Sequence, residues 1–512
     1  MRLLSSAAAI AAALILPVAT HAADAPVQVT LDASKPGTVI DRNIFGQFAE
    51  HLGSGIYGGI WVGKDSTIPN TRGIRKDVVV ALKALKVPNV RWPGGCFADQ
   101  YNWRRGVGPE RKPAVGEPNT FGTDEFMDFA HQIGAEAFVS VNLGSGTAME
   151  AAEWFEYMTS PTEGLGAERA KNGHPEPYKV AVLGLGNESW DCGGSMSADF
   201  YVNEMKRFSH FVHNFNPTPN QPMKRVAVGP NGDDTSYTEA VMKAWSARSF
   251  SWDIEGLSLH FYATGGWPPH LSDTGFGEKD YAVLLKDSIR LDGMIKTHSA
   301  IMDKYDPEKK VALVVDEWGS WLAPTPGSNP GALAQQNSQR DAMVAALGLN
   351  IFARHADRVR MANIAQMVNV LQAMILTDKD KMLLTPTYHV FHMYVPFQNA
   401  TFVPLTFDAG AYTTNGVTIP RVDAIAAKDK VGKIWIAVTN IDPRSPATFN
   451  VSLAGVKAKK ASGQTLSAPK VDSVNTFAAP NTVAPKAISA KVADGKMTIT
   501  VAPASVTVLG LE

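Results

Sequence analysis

The feature that most constrains this chain is a rhythm of short apolar runs. Between about residues 44 and 373, β-branched runs alternate with longer segments of helical period. The runs are Ile44–Phe48, Asn89–Trp92, Ala137–Asn142, Val180–Leu185, Arg225–Val228, Gly256–Phe261, Val311–Val315 and Met361–Ala365. Helical patterns such as Lys76–Leu85, Thr123–Ile133, Ala198–Asn214, Tyr237–Ala247, Tyr281–Lys304 and Gln336–Ala353 lie between them. Strands that alternate with helices build a parallel sheet, because parallel neighbours need a long crossover. Eight such units over roughly 330 residues fit a (β/α)8 TIM barrel with enlarged loops. A doubly wound open sheet shares the same local signature, and the pattern favours the barrel without excluding it.

After about Phe397 the texture changes to short alternating runs, Lys433–Val438, Ala447–Leu453, Ala487–Val492 and Met497–Val501, with a last strand in Ala504–Leu511. This predicts an antiparallel, jelly-roll-like β-sandwich, to which Val27–Leu31 would add a strand. Ala461–Pro485, rich in Ser, Thr, Ala and Pro, predicts no regular structure. The chain opens with Arg2, a small and apolar run from Leu3 to Val18, and Ala19-Thr20-His21-Ala22-Ala23, the layout of a cleavable signal peptide. Pro17 and the shortness of the run argue against a membrane anchor. The expected organisation is therefore a signal peptide over 1–23, an N-terminal segment over 24–43, a catalytic barrel over 44–397 and a sandwich over 398–512. Export to the periplasm or medium is expected, with no membrane association after cleavage. Lys and Arg number 48 against 49 Asp and Glu, so the broad basic surface that nucleic acid requires is not available.

In a barrel the loops after the strands converge at the carboxyl ends, so reactive side chains there carry function. The fourth predicted strand ends in Asn187-Glu188, the seventh in Asp316-Glu317-Trp318 and the sixth in His260-Phe261-Tyr262. The first runs into Glu50-His51, the second contains Arg91 and turns at Pro93-Gly94-Gly95, and the eighth leads to Gln366. Two glutamates on opposite strands suit glycosidic bond cleavage, one protonating the leaving oxygen and the other attacking the anomeric carbon. Burial beside Trp190 would keep Glu188 protonated, and Arg91 or Tyr262 would hold the charge of Glu317. A single glutamate at a strand end is more often a carboxylate stabilised by a helix N-terminus, and it is the pairing that points to a site. Strand alternation sends only one of Asp316 and Glu317 inward, and register alone does not decide which. No metal or cofactor is expected: the 12 histidines form no HExxH motif and two cysteines are too few for a cysteine-rich zinc site. Gly144-Ser145-Gly146 lacks the spacing of a nucleophile elbow, and Gly184-Leu185-Gly186 lacks the third glycine of a dinucleotide loop.

Six runs taken together, Phe48-Ala49-Glu50-His51-Leu52-Gly53, Arg91-Trp92-Pro93-Gly94-Gly95, Gly186-Asn187-Glu188, His260-Phe261-Tyr262, Asp316-Glu317-Trp318-Gly319 and Gln366-Met367-Val368-Asn369, resemble glycoside hydrolase family 51, the α-L-arabinofuranosidases. The resemblance runs in order from about residue 40 to the carboxyl end. It implies Glu188 as general acid/base and Glu317 as nucleophile, with Glu50, Arg91, Asn187, His260, Tyr262 and Gln366 around the arabinofuranosyl ring. It further implies an arabinose-containing oligosaccharide or polysaccharide as substrate, and raises the expectation of a homo-oligomer. An endo-acting glucanase or xylanase of the same superfamily, and an inactive carbohydrate-binding protein, are the alternatives. One departure concerns Cys96, where family members often carry Asn. With Cys192 on the loop after the fourth strand, both cysteines flank the implied pocket, and export makes a disulfide between them the expectation. Closing a loop of that length is worth about 4–5 kcal/mol in the chain-entropy treatment.

Overall fold

The structure is a computed structural model that describes residues 25–217 and 221–512, so the expected signal peptide over 1–23 lies outside the described residues. Eight strands form the barrel: β1 (Gly46–Phe48), β2 (Asn89–Trp92), β3 (Glu136–Ser140), β4 (Val180–Leu185), β5 (Lys224–Ala227), β6 (Gly256–Ala263), β7 (Ala312–Ser320) and β8 (Val359–Ile364). Each pairs in parallel with its predecessor, and β8 returns to β1 with Asn363 opposite Gly46 and Ile364 opposite Gln47. That closure excludes the open sheet. The strands read as continuous apolar runs because the barrel packs them on both faces. Inside it, Phe138, Val182, Val226, Val314 and Met361 fill one end, away from the chemistry.

Two elements differ from the sequence pattern for local reasons. The first strand is shorter than expected, since Asp41 accepts a hydrogen bond from the Asn43 amide and winds Arg42–Phe45 into a helical turn. The seventh is longer, running through Ser320, and its register slips between Val314 and Glu317 against β6 and between Val315 and Trp318 against β8. Such a bulge suspends strict alternation at that point.

The second unit is one hydrogen-bonded run of ten strands folded over an apolar core that includes Val29, Leu31, Ile436, Phe449, Val451 and Leu509. Val27–Asp32 belongs to it and pairs in parallel with Ala447–Ala454, the exception to an otherwise antiparallel arrangement. Lys460–Leu466, all but its first residue in the stretch expected to be irregular, is a strand between Lys486–Ala493 and Ser505–Leu511. Its sequence, Lys-Ala-Ser-Gly-Gln-Thr-Leu, lacks β-branched weight, and pairing on both edges supplies what propensity does not. Gly463 makes this possible, because a Cβ there would sit 1.9 Å from the Val508 carbonyl oxygen.

The helix Gln339–Arg354, buried along nearly its whole length, joins the two units. Gln339 Nε2 donates to the Ala504 carbonyl at 2.8 Å and Asn350 Nδ2 to Asp423 Oδ2 at 3.0 Å. Leu31 is fully buried where the N-terminal strand meets the sandwich core. Leu31→Ala should therefore cost about 2–5 kcal/mol, read as an earlier urea midpoint with the far-ultraviolet circular dichroism spectrum unchanged below the transition.

Candidate active site at the carboxyl ends of the strands

The site is organised around one cation. Arg91, near the end of β2, is 1% exposed. Its Nη1 lies 3.1 Å from Glu317 Oε2, its Nε lies 3.3 Å from Asp316 Oδ2, and Nη2 donates to Asn187 Oδ1. The guanidinium also stacks over the Phe48 ring, 4.6 Å from its centroid. A buried charge of this kind is tolerated only when it is paired on every side.

Both Asp316 and Glu317 reach the cluster. The alternation rule, which admitted only one of them, fails here because the β7 bulge turns two consecutive side chains the same way. Asp316 Oδ1 sits 3.3 Å from His260 Nε2, while Glu317 Oε1 accepts from the Tyr262 hydroxyl at 2.7 Å. His260 Nδ1 faces Glu188 Oε1 at 2.9 Å and Glu317 Oε2 at 3.4 Å. Burial pulls the His260 imidazole down, but the charge of Glu317 and hydrogen bonding to the Asp316 and Glu188 carboxylates outweigh it and push it up to about 10. Acids thus face the ring on both sides, Glu188 and Glu317 at Nδ1 and Asp316 at Nε2.

Glu188 follows β4 with a φ of 39°, a left-handed conformation uncommon for a side chain of its size. Within the turn itself, the Asp191 and Gly193 amides donate to the Glu188 carbonyl at 2.8 and 3.0 Å. Burial, then the charge of Glu317, raise the Glu188 carboxyl above the ordinary range, with His260 and Arg91 opposing. Trp190 does not supply its only cover: the indole Nε1 donates to the Gly229 carbonyl at 3.2 Å, and Cys192 Sγ lies 3.6 Å from Glu188 Oε2. One oxygen each of Glu188 and Glu317 and a ring nitrogen of His260 all lie within 4.8 Å of one another.

Glu50 completes the opposite wall. Its Oε2 accepts from Gln366 Nε2 at 2.9 Å and its Oε1 from the Phe97 amide at 3.3 Å. Burial first, and the charge of Glu317 second, push its carboxyl up to about 7, against the Phe97 amide, Gln366 and Arg91. The Pro93-Gly94-Gly95 turn is shaped to this side chain, since a Cβ on Gly94, whose φ is 142°, would fall 2.2 Å from Glu50 Cγ. Cys96 and Cys192 are joined in a disulfide, their Cα atoms 5.5 Å apart, which links the loops after β2 and β4. All eight residues expected around the sugar therefore converge. His51, by contrast, is turned away, held between Glu117 Oε2 at 2.8 Å and the Trp92 indole at 3.1 Å.

Sequence reasoning missed two contributors. Asp99 is buried beneath the Asn187-Glu188 segment, and its only signal was an acid set in the small and apolar run that follows the Pro-Gly-Gly turn. Trp321 packs edge-on against Tyr262 at 5.2 Å and against Trp267 at 5.5 Å, so an aromatic path leads from Glu317 to the exposed Trp267.

A closed (β/α)8 barrel with two opposed glutamates at the carboxyl ends of β4 and β7 defines the class: the protein is a glycoside hydrolase. Residues 81–267 match the α-L-arabinofuranosidase 1 domain and residues 316–505 the α-L-arabinofuranosidase C-terminal domain. The chain is 42% identical to an intracellular exo-α-L-arabinofuranosidase of Bacteroides ovatus, over 100% of this chain and 99% of that one. It superposes on the crystal structure of the GH51 arabinofuranosidase from Xanthomonas axonopodis pv. citri with a TM-score of 0.92 at 48% identity, covering 95% of this chain and all of that one. The arabinose complex of the Thermotoga maritima α-L-arabinofuranosidase matches at 31% identity with a TM-score of 0.80, again over 95% of this chain and all of the other. The chain belongs to glycoside hydrolase family 51, the α-L-arabinofuranosidases. The expectation of export is corrected by the same comparison: the full-length Bacteroides ovatus relative is named intracellular, which points against it.

The raised Glu50 carboxyl has a consequence for stability. Its folded value of about 7 exceeds the ordinary 4.5, so the folded chain holds an extra proton between those limits, and stability from this group is lost as pH rises through that window. Glu50→Gln removes the titration. Its thermal midpoint relative to the wild type should therefore be higher at pH 8 than at pH 5, measured by differential scanning calorimetry at both values.

Proposed function

We propose that the protein is a retaining, exo-acting enzyme that releases terminal non-reducing α-L-arabinofuranosyl groups from arabinoxylan, arabinan or the oligosaccharides derived from them. The observation that carries this reading is the approach of the Glu188 and Glu317 carboxylates to within 4.8 Å, with His260 between them. That spacing is of the order a retaining pair needs for direct attack by a carboxylate. The exo-action named for the Bacteroides ovatus relative supports the same substrate class.

Glu317 is the nucleophile. Its charge is held by Tyr262 and Arg91, and Oε2 or Oε1 attacks the anomeric carbon while Glu188 gives its proton to the departing glycosidic oxygen. The bond to the leaving group breaks as the glycosyl ester to Glu317 forms. Glu188, now a carboxylate, takes a proton from water, whose oxygen displaces Glu317 and restores the original configuration. Asn187, anchored by Arg91, stands beside the acid where the sugar 2-hydroxyl needs a partner that strengthens in the transition state. Glu50 and Gln366 receive further ring hydroxyls. The barrel over 44–397 is the catalytic unit, the sandwich over 398–512 its support, and the exposed Trp267 a platform for the sugar beyond the scissile bond.

Glu317→Ala should lower kcat on an aryl arabinofuranoside by on the order of 10⁴ or more. Full activity in that variant would overturn the assignment, as would an inverted first product seen by NMR. A raised Glu188 carboxyl stays protonated to higher pH than an ordinary one, so the alkaline fall of kcat/KM should lie above the usual carboxylate range. Glu188→Gln should lose that alkaline limb altogether in a pH–rate profile.

A further inference from the structure

Asp99 lies outside the sugar pocket, in the short helical turn Ala98–Gln100 that follows Cys96, and is 2% exposed. Its Oδ1 accepts from the amides of Leu143 at 2.8 Å and Gly144 at 2.7 Å, and its Oδ2 from the amide of Asn187 at 2.8 Å. Its own carbonyl accepts from the Ser145 amide at 3.2 Å and the Ser145 hydroxyl at 2.8 Å. One residue thereby ties together the loops that follow β2, β3 and β4. Three amide donors facing two oxygens favour a carboxylate against the burial that pushes this carboxyl up to about 7, and an amide side chain, with a single acceptor, would turn its NH₂ towards one of them.

The Asn187 amide is one peptide from Glu188, whose left-handed backbone persists only where its surroundings over-determine it. The turn after Glu188 is braced from the far side by the Cys96–Cys192 disulfide. Asp99 braces the near side. The Asn187 side chain, held by Arg91, then fixes the rotation of the peptide that Asp99 anchors.

We propose that Asp99 is a positioning residue for the acid/base step: by accepting from the Asn187 amide it sets the place of the Glu188 carboxyl relative to the leaving oxygen. This rests on the reading of Glu188 as the acid. The arrangement distinguishes positioning from mere support, because a displaced acid slows only the bonds that need its proton. A misplacement of about an ångström is enough for a loss of roughly 100-fold.

The test is a leaving-group comparison in a double-mutant cycle, with the substitutions Asp99→Asn and Glu188→Ala alone and together. The measured quantity is kcat/KM, which reports formation of the glycosyl ester, on 4-nitrophenyl arabinofuranoside and on an arabino-oligosaccharide. Asp99→Asn should slow the oligosaccharide roughly 10- to 100-fold while changing the nitrophenyl substrate less than about 3-fold, and in the Glu188→Ala background should add less than about 3-fold on either. Equal losses on both substrates, or a full multiplicative loss on top of Glu188→Ala, would overturn the positioning role. Should Asp99→Asn fail to fold by circular dichroism, Asp99→Ser, which keeps a small acceptor, takes its place in the cycle, and the same two results support or overturn the role. A Glu188→Ala enzyme without leaving-group selectivity would instead overturn the acid assignment itself.

Discussion

A guanidinium buried at the carboxyl ends of the barrel strands is the constraint on which the rest of the site depends. Arg91 has no route to water, so Asp316, Glu317 and Asn187 must stand around it. Asp316 and Glu317 come from β7 and Asn187 from the loop after β4, and the neutralisation of one charge thereby gathers the chemistry of β4 and β7 onto β2. His260 repeats the pattern one layer across, bridging Asp316 to Glu188 and Glu317, whose charges push its imidazole upward. Burial, reinforced by the charge of Glu317, pushes the Glu50 and Glu188 carboxyls upward against Arg91, and burial does the same to Asp99. The unequal environments of Glu188 and Glu317 follow from this geometry: both face His260, but Glu188 also meets a disulfide sulfur and Glu317 a hydroxyl and a guanidinium.

The loop that carries Glu188 is held from outside rather than by its own preference. A positive φ at a glutamate costs energy that the local sequence does not recover. Asp99 holds the peptide before it, the disulfide holds the chain four residues after it, and hydrogen bonds to the Glu188 carbonyl close the turn. The support comes from the loop after β2, the same loop whose Pro93-Gly94-Gly95 turn is moulded to Glu50. One segment thus sets both walls of the pocket.

Much of this was legible in the sequence, for identifiable reasons. Barrel strands are buried on both faces, so their apolar runs stand out, and the glutamates fall at the ends of runs that alternate with helices. The sandwich was visible where Val, Ile and Thr alternate in longer runs, but not at Thr401–Val403 or Val422–Lys428, nor at Lys460–Leu466, where small and polar residues form a strand only because neighbours pair on both edges. The rule that one of Asp316 and Glu317 must face away was undone by a bulge, a feature with no marker in a run as regular as Leu-Val-Val-Asp-Glu-Trp. The N-terminal composition suggested export, and the name of a full-length relative points the other way.

The sequence by itself determined the periodicities, hence the fold class, and the identity of the side chains at the strand ends, hence the kind of chemistry. Both are local properties, written in spacing and residue type. Only the tertiary structure decided closure of the barrel, the inward turn of both acids on β7 and the service of Asp99 to three loops. It also decided the shift of each buried carboxyl, because these depend on which charges and amides, distant in the chain, are brought within hydrogen-bonding reach where water is excluded.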